Sequence, residues 1–200
     1  RVVEDCMKAF GFLSFGHYGH GRGPGDPDAG QALKEAVEIA VGADEIGVNG
    51  AYWRVHHYAR QAAAPIPLLS AAGARTQRIE VGTGVIDMRY ENPLYLAEEV
   101  AALDLLTDQR IAIGISRGSP EQALRGWETF GYAGGADPRG AEVAHAHTAQ
   151  FLDAVRGVPQ ADLDTSGGMA PGASSRLRIE PHAPGVDRRL WWGAGSRETA

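Results

Sequence analysis

Short apolar segments alternate with amphipathic segments along nearly the whole chain, and this alternation restricts its fold more than any other feature. The apolar runs predict five strands, over residues 9–15, 51–57, 79–86, 111–115 and 189–192. Segments with helical spacing lie between them. Strands that alternate with helices form parallel sheets with right-handed crossovers. The fold class is therefore α/β, and two architectures fit, a doubly wound open sheet and a (β/α)₈ barrel.

Capping residues and helical spacing place the helices. Asn92 is an N-cap residue and Pro93 fits the first turn, so a helix begins there. Ser119, Pro120 and Gln122 predict a second such start directly after the fourth strand. The remaining elements are helices over residues 32–43 and 67–76, a long helix carrying Val143, His147, Phe151 and Val155, and a short extra strand at 177–179.

Composition limits the domain count and the classes of partner. The chain has 200 residues, of which 44% are hydrophobic, enough for one ordinary globular domain. Its formal net charge of -6 argues against nucleic-acid binding. No apolar run approaches the roughly 20 residues of a membrane span, and the first residues lack the apolar region of a signal peptide. Cys6 is the single cysteine, so we expect a reducing, cytoplasmic compartment.

The number of strands bears on the choice of architecture. A complete (β/α)₈ barrel has eight strands and runs to about 250 residues. If this chain is a barrel, it contains only the first five strands and the last three units are missing. Met7 stands directly before the first strand. In that case residues 7–200 are the N-terminal part of a single barrel domain, and residues 1–6 are an N-terminal extension.

Two polar corners between a strand and a helix are candidate anion sites. Ser116-Arg117-Gly118 follows the fourth strand, where parallel α/β proteins bind ligands. Arg117 can form a bidentate pair with a phosphate; the alternative is a surface turn with a solvated arginine. Gly193-Ala194-Gly195-Ser196 is the second corner. It is not a dinucleotide fingerprint, because Glu198 stands where that motif needs glycine.

Histidines and glycines at strand ends supply further candidates. His56 and His57 are predicted to end the second strand and so to point to opposite faces, which disfavours a metal pair. With one cysteine and no HExxH motif, no metal site is predicted. A histidine at such a strand end suits acid–base chemistry, unless the backbone merely satisfies it. The glycines in residues 82–85, Gly-Thr-Gly-Val, indicate a bulge or the close approach of a flat ligand or another backbone.

Several segments, taken in order, resemble the bacterial luciferase-like, flavin-dependent monooxygenases. They are FGFLSF, WRVHHYA, IEVGTGV, NPLYLAEEVAALDLLTDQRIAIGISRGSPE, GWETFGY and LWWGAGSRETA. The block from Asn-Pro to Ser-Arg-Gly is the specific part of this resemblance. It implies a (β/α)₈ TIM barrel, of which this chain contains only the first five strands.

The resemblance also implies roles for particular residues. His56 corresponds to the family's catalytic acid–base histidine, although Val55 stands where a glutamate is usual. A β-bulge, often with a non-prolyl cis peptide against the isoalloxazine ring, would fall at Gly84-Val85. Arg117 corresponds to the phosphate-binding arginine, and Ser116 to a reactive cysteine of luciferase. The other cofactor-binding candidates are Gly82, Thr83, Ala194, Gly195, Ser196 and Thr199.

The function implied by the resemblance is a monooxygenase reaction. Reduced FMN, supplied by a separate flavin reductase, would react with oxygen to give a flavin 4a-hydroperoxide, and one oxygen atom would pass to a small organic substrate. The alternatives are a deazaflavin-dependent dehydrogenase of the same fold and a non-catalytic flavin-binding partner subunit. A homodimer or heterodimer is the assembly expected of the full-length protein.

Overall fold

The structure is a computed structural model, and it describes residues 9–19, 25–118, 122–133, 135–170 and 172–194. Its strands are β1 (Gly11–Ser14), β2 (Gly50–Trp53), β3 (Glu80–Asp87), β4 (Ile111–Ser116), β5 (Ala161–Asp162), β6 (Arg176–Leu177) and β7 (Leu190–Trp192). Its α-helices are α1 (Ala29–Glu45), α2 (Pro65–Arg75), α3 (Pro93–Leu106) and α4 (Ala141–Val155).

The main sheet has the strand order β1-β2-β3-β4-β7, and every neighbouring pair in it is parallel. A doubly wound sheet reverses its strand order at a switch point. The strand order of this sheet does not reverse, because each of its strands lies beside the strand of the same sheet that precedes it in the chain. The arrangement is the first five strands of a (β/α)₈ barrel, which confirms the predicted fold class and decides between the two architectures.

The two faces of the sheet carry different side chains. The convex face packs against the helices, and Ala51, Val81 and Ile113 on it have no exposed surface. The concave face surrounds a cavity of about 500 Å³, lined by Leu13, Tyr52, Glu80, Gly84, Val85, Ala112 and Trp191. Tyr52 donates a hydrogen bond of 2.5 Å to Glu80 across this face. Burial and the carboxylate beside it raise the pKa of Tyr52 to about 12.

Gly82 makes room for a side chain of the concave face. A Cβ atom at Gly82 would lie 2.8 Å from a ring carbon of Tyr52 and 2.1 Å from the carbonyl oxygen of Ala112. The glycine is therefore needed for the close approach of a neighbouring tyrosine and backbone. The sequence left open whether these glycines admit a flat ligand or another backbone. At Gly82 the atoms that approach closely belong to the protein itself.

Thr83 closes a gap in the ladder between β3 and β4. The strand register shifts between Thr83 and Ile86, as a bulge requires. The Thr83 hydroxyl donates to the carbonyl oxygen of Gly114 at 2.8 Å and accepts from its backbone N–H at 3.0 Å. Thr83 has no exposed surface. Its side chain therefore satisfies two buried backbone groups and does not face the concave side.

Replacing Thr83 with valine is expected to lower the free energy of unfolding by about 2 kcal/mol. Valine has nearly the same shape, but it leaves the N–H and the carbonyl of Gly114 without a partner, and each buried unsatisfied group costs about 1–3 kcal/mol. Urea denaturation measures the change. Thr83→Ser keeps the hydroxyl and is the matched control, so a serine variant as unstable as the valine variant would contradict this assignment.

The first strand is shorter and more exposed than its composition suggests. The run of residues 9–15 was expected to be a buried strand, but β1 covers four residues, and Phe10 and Leu13 are 63% and 49% exposed. The physical reason is position. β1 lies at the edge of the sheet, so one of its sides pairs with β2 and the concave face beside it is uncovered.

Two other predictions of local structure are wrong, and a third is confirmed with shifted bounds. The second strand ends at Trp53, so His56 and His57 lie in the loop after it. The predicted cap at Ser119 and Pro120 lies outside the described residues; no helix occupies residues 122–125, and a 3-10 turn at Gly126–Phe130 follows instead. This turn packs closely on Tyr90, because a Cβ atom on Gly126 would lie 2.5 Å from the Tyr90 hydroxyl. The extra strand at 177–179 is β6, which pairs with β5 as an antiparallel hairpin away from the main sheet.

Candidate functional site

A cavity of about 420 Å³ lies at the carboxyl ends of the strands of the main sheet. Each of the five strands or the segment directly after it contributes to this cavity. Its lining residues are Leu13, Phe15, Arg54, Val55, His56, Gly84, Val85, Asp87, Ser116, Gly118, Gly193 and Ala194. This end of a parallel barrel is where active sites are built, because the loops that follow the strands converge there.

His56 lines the cavity although it does not belong to a strand. Its backbone N–H donates to the carbonyl oxygen of Ala62 at 3.0 Å, which fixes the loop after β2. The residue is half-buried. His57 lies away from the cavity and is buried, with its ring stacked on Tyr90 at 4.2 Å between centroids. The expectation that the two histidines point to different surroundings is therefore met, although they follow the strand.

Gly84 and Val85 form the irregular segment of β3. The peptide bond between them is cis, and the register shift spans them. Both are half-buried and line the cavity. A Cβ atom on Gly193 would lie 3.2 Å from Val85, so the end of β7 packs closely on this segment. The bulge and the cis bond occur where the resemblance placed them, and contact with a flavin stays a prediction.

The Ser116-Arg117-Gly118 corner closes the other side of the cavity. Ser116 is buried, and its hydroxyl accepts a hydrogen bond of 3.0 Å from the N–H of Gly118. Gly118 has a φ of +92°, a conformation that favours glycine. Arg117 is exposed beside the cavity. The corner therefore holds an arginine at the cavity edge on a turn fixed by its two neighbours.

A buried ion pair that the sequence did not reveal supports this corner. Arg89 donates from Nε to Asp87 at 2.9 and 3.1 Å and from Nη2 at 2.5 Å, and both residues are less than 10% exposed. A Cβ atom on Gly118 would lie 2.2 Å from Asp87. Arg89 also donates to the carbonyl oxygen of Arg139 at 3.0 Å and lies over the Trp127 ring. The signal available in the sequence for this pair was an aspartate directly at a strand end with an arginine two residues later.

Beside the buried His57 lies a partly buried carboxylate. Glu91 approaches His57, with 4.0 Å between a carboxylate oxygen and Nε2, and their side chains are 21% and 10% exposed. Burial raises the pKa of Glu91 to about 7, with Glu99 and Asp87 adding to the effect. Burial also lowers the pKa of His57. Both shifts favour the uncharged forms of the two groups.

Glu91 is expected to make the protein less stable as the pH rises. Its folded-state pKa of about 7 lies above the ordinary value of 4.5, so the folded state retains a proton that the unfolded state releases. Stability therefore falls between these two pKa values. Glu91→Gln mimics the protonated form and should raise the free energy of unfolding by about 1–2 kcal/mol near pH 8, and much less near pH 5.

Chemical denaturation at both pH values measures this prediction. Glu45→Gln, at an exposed position, is the matched control because it removes the same charge from the surface. Equal stabilisation of the Glu91 variant at the two pH values would contradict a buried, proton-binding carboxyl group.

The remaining predicted site residues fall into three groups. Ala194 lines the cavity, as proposed from the second polar corner. Gly82 and Thr83 are not among the lining residues; Gly82 packs under Tyr52, and the Thr83 side chain is bonded to Gly114. Gly195, Ser196 and Thr199 lie outside the described residues. The structure thus removes the Thr83 side chain from the cofactor contacts that we expected.

The described residues, 9–19, 25–118, 122–133, 135–170 and 172–194, lack both a metal cluster and a helix suited to a bilayer. No group of three or more His, Cys, Asp or Glu side chains within these ranges is arranged to hold a metal ion. No helix of the described chain has both the length and the apolar character that crossing a bilayer requires.

Comparison with protein families identifies relatives of this chain. The family model described as luciferase-like monooxygenase matches residues 9–200. The chain is 32% identical over 109 residues to 4-hydroxyprotoasukamycin monooxygenase of Streptomyces nodosus subsp. asukaensis, covering 54% of this chain and 29% of that protein. It is 32% identical over 91 residues to the oxygenase component of the flavin-dependent trigonelline monooxygenase of Acinetobacter baylyi, covering 44% of this chain and 25% of that protein.

Solved structures resemble the fold at low sequence identity. A monooxygenase from Streptomyces bottropensis superposes with a TM-score of 0.64 at 21% identity, covering 88% of this chain and 50% of that chain. The oxygenating constituent of 3,6-diketocamphane monooxygenase from Pseudomonas putida, in complex with FMN, gives 0.65 at 17% identity, with 88% and 49% covered. A coenzyme F420 dependent tetrahydromethanopterin reductase from Methanopyrus kandleri gives 0.62 at 13% identity, with 96% and 51% covered. This chain thus spans about half the length of these structures.

Proposed function

Because this chain belongs to the luciferase-like monooxygenase family, we propose that its cavity binds reduced FMN and that the whole protein is a flavin-dependent monooxygenase. The observation that supports the proposal most strongly is the composition of the cavity wall. His56, the Gly84–Val85 bulge and Ser116 line one cavity, with Arg117 at its edge. An acid–base group, a flat apolar surface and a phosphate-binding cation are what a reactive flavin site needs.

The residues around the cavity fit FMN. Arg117 is an exposed cation beside it and can take the phosphate through two parallel hydrogen bonds. Gly118 and Gly193 keep the wall next to Ser116 and Val85 narrow, since a Cβ atom at either position would meet a neighbouring group within 3.2 Å. Leu13 and Phe15 supply apolar surface for a ring system. When bound, reduced FMN would supply the electrons with which oxygen is activated.

The chain's own residues have separate tasks in this proposal. Gly84 and Val85 support the ring, and Leu13 and Phe15 help to exclude water, whose access favours side reactions. His56 is half-buried in the cavity wall, where an imidazole can hold or release a proton for the reacting group. Arg117 and Ser116 orient the phosphate end.

Several finer points are part of the same proposal. The Acinetobacter baylyi relative is named an oxygenase component, so we include a separate flavin reductase as a partner. The substrate is a small organic molecule, the full-length protein is a homodimer or heterodimer, and the compartment is the cytoplasm. A deazaflavin-dependent dehydrogenase is the second candidate, because an F420-dependent reductase shares the fold.

The test is oxygen exposure of the protein with chemically reduced FMN, without a reductase. We expect the absorbance of oxidised flavin to return at least tenfold more slowly than in free solution, since the cavity shields the reduced cofactor. His56→Ala should shorten the delay, and His182→Ala, changing a histidine outside the cavity lining, should not. Reoxidation at the rate of free FMN, together with tighter binding of F420 than of FMN, would support the dehydrogenase instead.

A further inference from the structure

One cation in the cavity wall has no task in the function proposed above. The ionisable side chains among the described lining residues are Arg54, His56 and Asp87. Arg54 directly follows β2, and its backbone N–H donates to the carbonyl oxygen of Ser14 at 2.9 Å. This bond extends the pairing of β1 and β2 by one residue. The backbone of Arg54 is therefore held rigidly at the mouth of the cavity.

The guanidinium group of Arg54 lacks an anionic partner. Within the part of the chain that the structure describes, it has neither a hydrogen-bond acceptor nor a carboxylate beside it. It lies over the ring of Phe15, with 5.2 Å between the guanidinium carbon and the ring centroid. A cation–π contact of this kind orients the side chain and leaves its N–H donors available. Because Arg54 is half-buried, an anion there would offset part of its desolvation.

The cavity's carboxylate cannot serve as this anion. Asp87 is the acidic residue among the described lining residues, and Arg89 binds both of its oxygens. Its charge is thus already compensated by a buried guanidinium on the far side of the cavity wall. With Asp87 neutralised, Arg54 gives the cavity a net positive character.

We propose that Arg54 binds a carboxylate group of the substrate, which makes the substrate a small organic acid with an apolar or aromatic body. Arginine matches a carboxylate bidentately, and Phe15, Leu13 and Val85 offer apolar surface for the rest of the molecule. The inference rests on the function proposed above, because it names the substrate class of the same cavity.

The position of Arg54 favours the substrate over the flavin phosphate. Arg54 follows β2, whereas Arg117 follows β4, two strands further along the sheet. Neighbouring strands lie about 4.8 Å apart, so the two strand ends are separated by about 10 Å. This separation favours a second anion at Arg54 over the phosphate at the Arg117 corner. His56 stands two residues after Arg54 and lines the same cavity, which places the anion site beside the proposed acid–base group.

Calorimetric titration of the FMN-loaded protein with matched pairs of probes tests the proposal. The pairs are benzoate with benzamide and hexanoate with hexanamide, which differ in charge but hardly in shape. We expect at least one carboxylate to bind tenfold or more tightly than its amide, and Arg54→Leu to abolish that preference. Arg54→Lys should retain part of it. Arg188→Leu, which removes an exposed arginine outside the cavity lining, is the control and should leave it unchanged.

Two results would overturn the proposal. In the first, neither carboxylate binds more tightly than its amide. In the second, Arg54→Leu weakens FMN while leaving riboflavin, which lacks the phosphate, unaffected; Arg54 would then hold the flavin phosphate. Failure of the proposed function is seen separately, as wild-type protein that does not bind FMN in the preparatory titration. Carboxylate preference in the flavin-free protein can still be measured in that case.

Discussion

Arg89→Leu is expected to lower the free energy of unfolding by about 3–5 kcal/mol, because removal of one partner leaves a buried charge uncompensated. The Arg89 side chain is 7% exposed and that of Asp87 5%. The variant loses the bonds to Asp87, the bond to the Arg139 carbonyl and the contact with Trp127. Guanidinium chloride denaturation measures the change.

The surface pair Arg75–Glu38 is the matched control. Those side chains are 50% and 61% exposed, so Arg75→Leu should change stability little. The double variant Asp87→Leu/Arg89→Leu should be less unstable than the sum of the single variants, because it leaves no unpaired charge. If Arg89→Leu unfolds with the stability of the wild type, the pair does not support the corner as described.

Arg117→Ala is expected to weaken FMN binding by about 10- to 100-fold, because hydrogen bonds to a charged group contribute about 1.5–3 kcal/mol. Flavin fluorescence measures the FMN affinity of the wild type and that of the variant. Riboflavin, without the phosphate, should bind the wild type and the variant equally. The effect should also shrink at high salt, since Arg117 is exposed and its charge is screened.

Arg188→Leu serves here again as the charge control, because it removes an exposed arginine from a different part of the chain. Equal loss of FMN affinity in both arginine variants would indicate a general charge effect. If Arg117→Ala weakened riboflavin and FMN alike, the phosphate would not lie at this corner.

Much of the fold could be predicted because strand and helix periods differ. The buried run Ile111–Ile115 and the Asn92-Pro93 cap gave correct elements, β4 and α3, since both signals are local. Ser119 lies outside the described residues, and the helix expected to follow it is absent from residues 122–125 for a non-local reason. Gly126 packs under Tyr90, and the residue before it, Arg125, has a φ of +50°, so the chain turns where the cap predicted a helix. Contacts between segments that are distant in the chain produce no hydrophobic periodicity, so the sequence does not reveal them.

The residues of the candidate site likewise divide into those that the sequence indicates and those that depend on distant contacts. His56, Gly84 and Ser116 could be identified because strand ends carry ligands in parallel barrels and a family resemblance marked the positions. The bonds of the Thr83 side chain to Gly114 could not be predicted, because the sequence does not show which side of a bulged strand a residue takes. The Asp87–Arg89 pair was missed because its meaning depends on burial and on Gly118, which is 31 residues further along the chain.

Amide chemical shifts during an FMN titration show most directly whether the flavin occupies the cavity at the carboxyl ends of the strands. The predicted result is a set of changes at Gly84, Gly118 and Gly193 that saturates with FMN. A third cavity, of about 390 Å³, lies between α1 and α2 and is lined in part by Ala36 and Leu68. Shifts confined to that cavity, with the strand ends unchanged, would contradict the account.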